Sequence, residues 1–181
     1  MKNYKSLLVL IFCLIFSNEV LSQQTFGAGA YLGGGVISGN TSEKGSFSSS
    51  LFFEIDPGLY KDLSFRFSFL YHTDFNSILP GSTKRYYPYL KGLGLKGITF
   101  QNIQPYFFIE EGVGIIALND RTISGTDEWD YGASFSIAAG FDFRKFENKG
   151  FKLSLGTEYG LTFFKTLPSF FTLYFQFLYL I

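Results

Sequence analysis

The chain has 181 residues with 15 basic and 15 acidic side chains, so its formal net charge is zero; 20% of it is aromatic and only 17% charged. Bulk attraction to nucleic acid or to an anionic surface is therefore excluded as its main binding mode, and the charged fraction falls well short of the roughly 25% of ordinary soluble domains. With 24 phenylalanines and one cysteine, it is neither a disulfide-stapled scaffold nor a small soluble domain with room for its aromatics inside.

The first segment, "MKNYKSLLVLIFCLIFSNEVLSQQ", has the three parts of a secretory signal: Lys2 and Lys5, an apolar run from Leu7 to Phe16, and Val20-Leu21-Ser22 ahead of Gln23. The apolar run is too short to cross a bilayer as a helix, which takes about 20 residues. Residues 1–22 are expected to be a signal peptide and 23–181 one exported domain. Cys13 would leave with the signal, so the mature chain is expected to have no disulfide, thiol nucleophile or cysteine metal ligand; no cofactor or metal is expected either.

After Gln23 the hydrophobic period is two. In "FKLSLGTEYGLTFF", Phe151, Leu153, Leu155, Tyr159, Leu161 and Phe163 alternate with Lys152, Ser154, Gly156, Glu158, Gly160 and Thr162. Such alternation is the mark of a strand with two unlike faces. It recurs over about 25–37, 46–56, 64–75, 85–98, 105–118, 131–144, 151–164 and 169–181. Turn signals separate these runs: Gly39-Asn40, Asp56-Pro57-Gly58, Pro80-Gly81, Gln101-Asn102, Asn119-Asp120, Asn148-Lys149-Gly150 and Pro168.

Runs of about a dozen residues exceed the 5–6 usual in globular strands and suit membrane-crossing strands of about 9–11. The polar face is mostly Gly, Ser, Ala and Thr with a few charges, which fits a narrow lumen better than a solvated surface. The predicted fold is all-β: an eight-stranded antiparallel up-and-down transmembrane β-barrel with its apolar face toward lipid and no open sheet edge. Connections near 39–45, 76–84, 119–130 and 165–168 are expected outside the cell, and those near 57–62, 99–104 and 145–150 in the periplasm.

The signal segment, the eight alternating runs, the hairpin "QPYFFIEEGVG" and the aromatic-rich end "FFTLYFQFLYLI" together resemble the small outer-membrane β-barrel proteins of Gram-negative bacteria. That resemblance implies location in the cell outer membrane, contact with outer-membrane lipids and lipopolysaccharide, and insertion by the barrel-assembly machinery. It implies a porin-like architecture without catalysis. In such barrels the last residue is usually aromatic, where this chain has Ile181.

Candidate chemistry lies on the lumen face. Glu54, Arg66, Glu110, Asp142, Arg144, Lys152 and Glu158 are expected to form an internal ion network that fills the barrel; a gated solute path is the sharper alternative. The lone histidine, in "YHTDFNS", shares that face with Asp74 near the outer rim, with Ser77 just beyond. The resemblance brings the lipid A deacylases into view, but Thr73 and Asp74 follow His72 where their motif has other residues, so a hydrogen-bonded rim residue is expected instead. The loop "NDRTISGTDEWD" holds Asp127, Glu128 and Asp130 around Trp129 and is expected to be a solvated loop tip; a cation or surface-partner site is the sharper alternative. Finally, Glu111 and Lys91 fall out of phase on lipid-facing sets, and a short hairpin between their strands is expected to pair them, with a bulge or register slip turning one or both charges inward; a lipid-facing ion pair is the alternative.

Overall fold

The computed structural model describes residues 25–58, 62–79, 86–144 and 149–181. The expected signal peptide lies outside the described residues. Eight strands follow in chain order: β1 (Thr25–Ser38), β2 (Lys44–Asp56), β3 (Leu63–Asp74), β4 (Tyr89–Gln104), β5 (Phe107–Arg121), β6 (Glu128–Asp142), β7 (Gly150–Thr162) and β8 (Ser169–Leu180), with one short 3-10 turn at Phe75–Ser77. Each pairs antiparallel with its chain neighbour, and β1 closes on β8 from Gly27↔Leu180 to Ser38↔Ser169. The fold is the up-and-down eight-stranded barrel.

Two expected turns belong to strands instead. Gln101 and Asn102 stay in the ladder opposite Ile109 and Phe108, and the β4–β5 reversal falls at Pro105 and Tyr106 after a register shift between Asn102 and Gln104. Proline has no amide hydrogen to give a ladder, so the turn settles there, whereas Gln and Asn keep theirs paired. Asn119 and Asp120 likewise pair with Trp129 and Glu128 inside β5 and β6. Both strands are longer than their hydrophobic pattern because the facing strand supplies partners past the last apolar residue.

Polarity is inverted relative to a soluble protein. Leu51, Phe53, Phe67, Leu95, Val113, Ile115, Phe135, Leu155, Leu173 and Phe175 stand exposed on the outer surface, while the largest fully buried side chain is Arg66. A band of contacting rings, Phe107–Phe141–Phe143–Phe151–Phe177, runs around the end that carries Thr25 and Ile181. Tyr71 and Tyr89 meet at 5.9 Å toward the opposite, loop end. Aromatic girdles of this kind flank the apolar band of membrane barrels.

The inward face is not uniformly polar. Ile37, Leu70, Leu90, Ile116, Leu118 and Phe170 are buried inside beside Tyr31 and Tyr174, whose rings stack at 4.5 Å. An eight-stranded lumen is only wide enough for side chains to fill, and here apolar side chains do much of the filling. Glycine is demanded where the backbone of the neighbouring strand comes close. A Cβ at Gly132 would collide with the Leu161 carbonyl oxygen, and one at Gly35 with that of Phe171. Gly132→Val is expected to abolish the compact, heat-modifiable species on electrophoresis, since overpacking costs about 1–3 kcal/mol or more; Ala133→Val, one residue away on the outer face, is expected to leave it intact.

Candidate functional site: the filled lumen and its loop-end mouth

Inside the barrel the side chains that alternation sends inward meet across it. Glu54 and Arg66 face one another in the β2–β3 ladder. The guanidinium donates from Nη2 and Nε to Glu54 Oε2 at 2.6 and 2.9 Å. It reaches across to Glu110 Oε1 and Oε2 at 2.8 and 3.2 Å, and to Gln176 Oε1 at 3.0 Å. Gln176 Nε2 donates to Glu110 Oε1 at 3.2 Å, and Ser64 Oγ to Glu54 Oε1 at 2.9 Å. The Phe52 ring lies 4.4 Å from the Arg66 carbon. One planar cation thus satisfies two buried carboxylates, a geometry that lysine's single ammonium cannot reproduce.

Two further groups complete the interior. Glu158 is paired with Lys96 at 2.9 Å. Asp142 accepts from Arg144 Nε at 2.8 Å and lies 4.0 Å from Lys152, to which it is register-paired. The Lys152 ammonium is set over the Phe100 and Phe108 rings at 4.4 and 5.0 Å, a placement that favours a cation. The seven expected lumen charges are thus distributed over three groups, and Arg144 lies just past the end of β6. Lys96 and Gln176 complete the set; alternation in β4 and β8 places both with the inward residues, Lys96 beside Gly92 and Gly94 in the count of two. The four carboxylates and four cations sum to zero charge.

Toward the loop end His72 is fully buried, its Nδ1 2.8 Å from Ser48 Oγ and its ring stacked at 4.1 Å on Phe170. Thr172 Oγ1 donates to the same Ser48 oxygen at 2.6 Å. Asp74 shares the inward face, but its Oδ1 accepts from Asn76, and Ser77 bonds Thr73 at 2.9 Å. His72, Asp74 and Ser77 are therefore separately engaged; the serine at the histidine is Ser48.

The acidic loop cluster is also internally engaged. Asp127 takes Arg121 and Asn119 at 2.9 Å each, and Glu128 takes Lys165, whose ammonium is held above the usual lysine range by that carboxylate. Asp130, 1% exposed, accepts the backbone N–H groups of Phe164, Lys165, Thr166 and Leu167 at 2.9–3.2 Å. It folds the 163–168 connection over the barrel wall much as a carboxylate caps a helix. Among the described residues no group of three or more metal-ligating side chains of the His, Cys, Asp and Glu type is present.

The expected Lys91–Glu111 pair does not form. Lys91 stands opposite Asn119 and Glu111 opposite Thr99, eight residues further along β4, about 26 Å at ~3.3 Å per residue. The hairpin reverses at Pro105 and Tyr106, so Glu111 lies near the turn while Lys91 lies near the loop end. Neither charge is turned inward; both are exposed on the outer face, and the register shift falls at Asn102 and Gln104 instead.

No protein-family model matches the chain, and no curated protein matches it by sequence. Solved structures do match by shape. Neisserial surface protein A superposes with a TM-score of 0.62 at 13% identity, over 85% of this chain and 96% of that one. Ail, the attachment invasion locus protein of Yersinia pestis, solved in complex with the heparin analogue sucrose octasulfate, gives 0.54 at 11% identity over 88% and 99%. A second Ail structure gives 0.52 at 9%. These likenesses establish the fold as that of small outer-membrane barrels.

Arg66→Met leaves Glu54 and Glu110 buried without their cation and is expected to destabilise the barrel by about 3–5 kcal/mol, read from urea unfolding in lipid vesicles; adding Glu54→Gln and Glu110→Gln is expected to restore most of the loss. Asp130→Ala is expected to expose the bond after Lys165 to trypsin in otherwise folded barrels, detected as a clipped β8 fragment that the unsubstituted protein does not yield.

Proposed function

We propose that this protein is a non-enzymatic integral outer-membrane barrel with structural and surface-interaction roles, its loop end facing outward and both termini in the periplasm. The observation that carries this reading is the inverted polarity of a closed sheet: an apolar outer wall with aromatic bands around an interior whose deep charges are set in opposed groups. In water such a wall would be an extensive aggregation surface; in hydrocarbon it is the required one. Thr25 and Ile181 at one end and the turn at Phe75–Ser77 at the other follow the usual orientation of these barrels.

Export through residues 1–22, insertion by the barrel-assembly machinery and contact with lipopolysaccharide complete the reading. The channel alternative is disfavoured by a lumen whose opposed charges are paired and whose remaining width is filled by side chains. Catalysis is disfavoured by His72, buried against Phe170 and bonded to Ser48. The sulfated ligand of the Ail complex is not carried over, because at 11% identity that likeness is one of fold.

Cell fractionation with planar-bilayer recording and lipid A mass spectrometry tests this directly. The protein is expected in the outer-membrane fraction, with heat-modifiable mobility, no discrete conductance and an unchanged lipid A mass on expression. Recovery from the soluble periplasm would overturn the membrane assignment, steady single-channel steps would establish a pore, and a lipid A mass shift lost in His72→Ala would establish an enzyme.

A further inference from the structure

The outer wall is not evenly covered. Across β4, β5 and β6 the ladder sets Leu93 opposite Ala117 and Ala117 opposite Tyr131. A methyl group thus stands between two large side chains, and the surface dips. The dip is an apolar groove of about 330 Å³ lined by Leu93, Leu95, Ile115, Ala117 and Tyr131, with Phe67 at its edge. That volume lies at the small end of ligand sites, roughly 300–1,000 Å³, and the lining offers almost nothing but hydrocarbon.

At the loop end of this groove stands Lys91, the next outward residue of β4 above Leu93, about 7 Å on at ~3.3 Å per residue. Its ladder neighbours are the uncharged Tyr71 and Asn119, and the Asn119 amide is turned to Asp127. Arg121, one outward position further on, is held by Asp127. Among the described residues Lys91 is the exposed cation of this wall without an ion-pair partner. A cation on a lipid-facing surface costs least at the headgroup level, where an anionic headgroup neutralises it.

We propose that the groove seats an acyl chain of a phosphorylated, acylated saccharide lipid of the outer leaflet, of the lipopolysaccharide type, with Lys91 holding its phosphate. The proposal rests on the outward orientation of the loop end given above and deepens it by naming the lipid-binding wall. Charge complementarity selects the occupant: an uncharged lipid would fill the groove and leave the ammonium bare. The ammonium is a compact point charge suited to phosphate, and the tyrosines beside it, Tyr71 and Tyr89, are at home at the interface. The sole tryptophan, Trp129, faces Asn119 in the ladder one strand beyond Lys91, so the molecule carries its own reporter.

The test uses the full mature chain refolded in phosphatidylcholine vesicles, with folding verified by heat-modifiable mobility for every variant. Bisphosphorylated lipid A or phosphatidylglycerol with brominated acyl chains is titrated in, quenching of Trp129 is followed, and bound lipid and oligomeric state are read by native mass spectrometry. Lipid A is expected to bind more tightly than phosphatidylglycerol. Lys91→Gln is expected to weaken lipid A binding about fivefold, the effect of one lysine at an anionic lipid surface. Ala117→Phe, which fills the groove, is expected to remove the preferred site for both lipids, while Ala28→Phe on the β1 wall leaves it unchanged. Equal binding in the unsubstituted chain, Lys91→Gln and Ala117→Phe would overturn the proposal, as would phosphatidylglycerol matching lipid A. A dimer abolished by Ala117→Phe would assign the groove to a second copy and overturn it as well. A protein that never enters the vesicles would defeat the membrane reading itself, an outcome distinct from all of these.

Discussion

Hydrocarbon offers no hydrogen bonds, so every backbone amide and carbonyl at membrane depth must find its partner within the protein. The twelve register pairs between β1 and β8 meet that demand. Without them two strands would present open edges to lipid. Closure with eight strands then dictates the interior: strands tilt, the lumen becomes too narrow for a pore, and each inward position holds whatever fits against the facing ladder. Glycine at 35 and 132 and serine at 46, 48, 64, 68, 134 and 154 are consequences of that crowding.

Deep in this lumen charge sits in opposed sets. A buried carboxylate is costly alone, and Glu54 and Glu110 are tolerable because Arg66 bonds both at once while Phe52 covers its face. The pairing binds β2 and β3 to β5 and, through Gln176, to β8. Side chains from three other strands therefore converge on one guanidinium. Buried ion pairs seldom stabilise more than well-packed apolar groups would, so their effect here is to penalise wrong registers: a one-residue slip of β3 would send Arg66 into lipid.

Strand number, direction and sidedness were legible in the sequence because period two is a local property that each membrane-crossing strand carries by itself. Strand ends were less so. Gln101, Asn102, Asn119 and Asp120 look like turn residues singly, and only the facing strand, a long-range fact, keeps them in the ladder. The same limit governs the interior: alternation tells which side Glu158 takes, yet that its partner is Lys96, sixty-two positions away in the chain, depends on barrel stagger. Asp130 was legible as acidic loop chemistry and not as a clamp, because its partners are backbone amides that carry no sequence signal. The apolar interior around Phe170 escaped for another reason: inward positions of β8 mix Phe170, Tyr174 and Leu178 with Thr172 and Gln176, and periodicity then says little about content.

Lys91 and Glu111 show how the wall limits its own exceptions. Their separation of about 26 Å along a strand tilted by ~40° projects to about 20 Å across the membrane, against an apolar band ~25 Å tall. Each charge therefore lies within a few ångströms of one edge of the band, within reach of the interface for a flexible side chain. The penalty for a charge facing lipid falls from about 2–4 kcal/mol at the midplane to about 0–1 near the interfaces. Neither residue needs a partner across the hairpin, and a register slip that buried them would have disturbed the ladder for little gain. Two charges that are anomalous in a hydrophobic pattern become, once placed by depth, markers of where the hydrocarbon begins and ends.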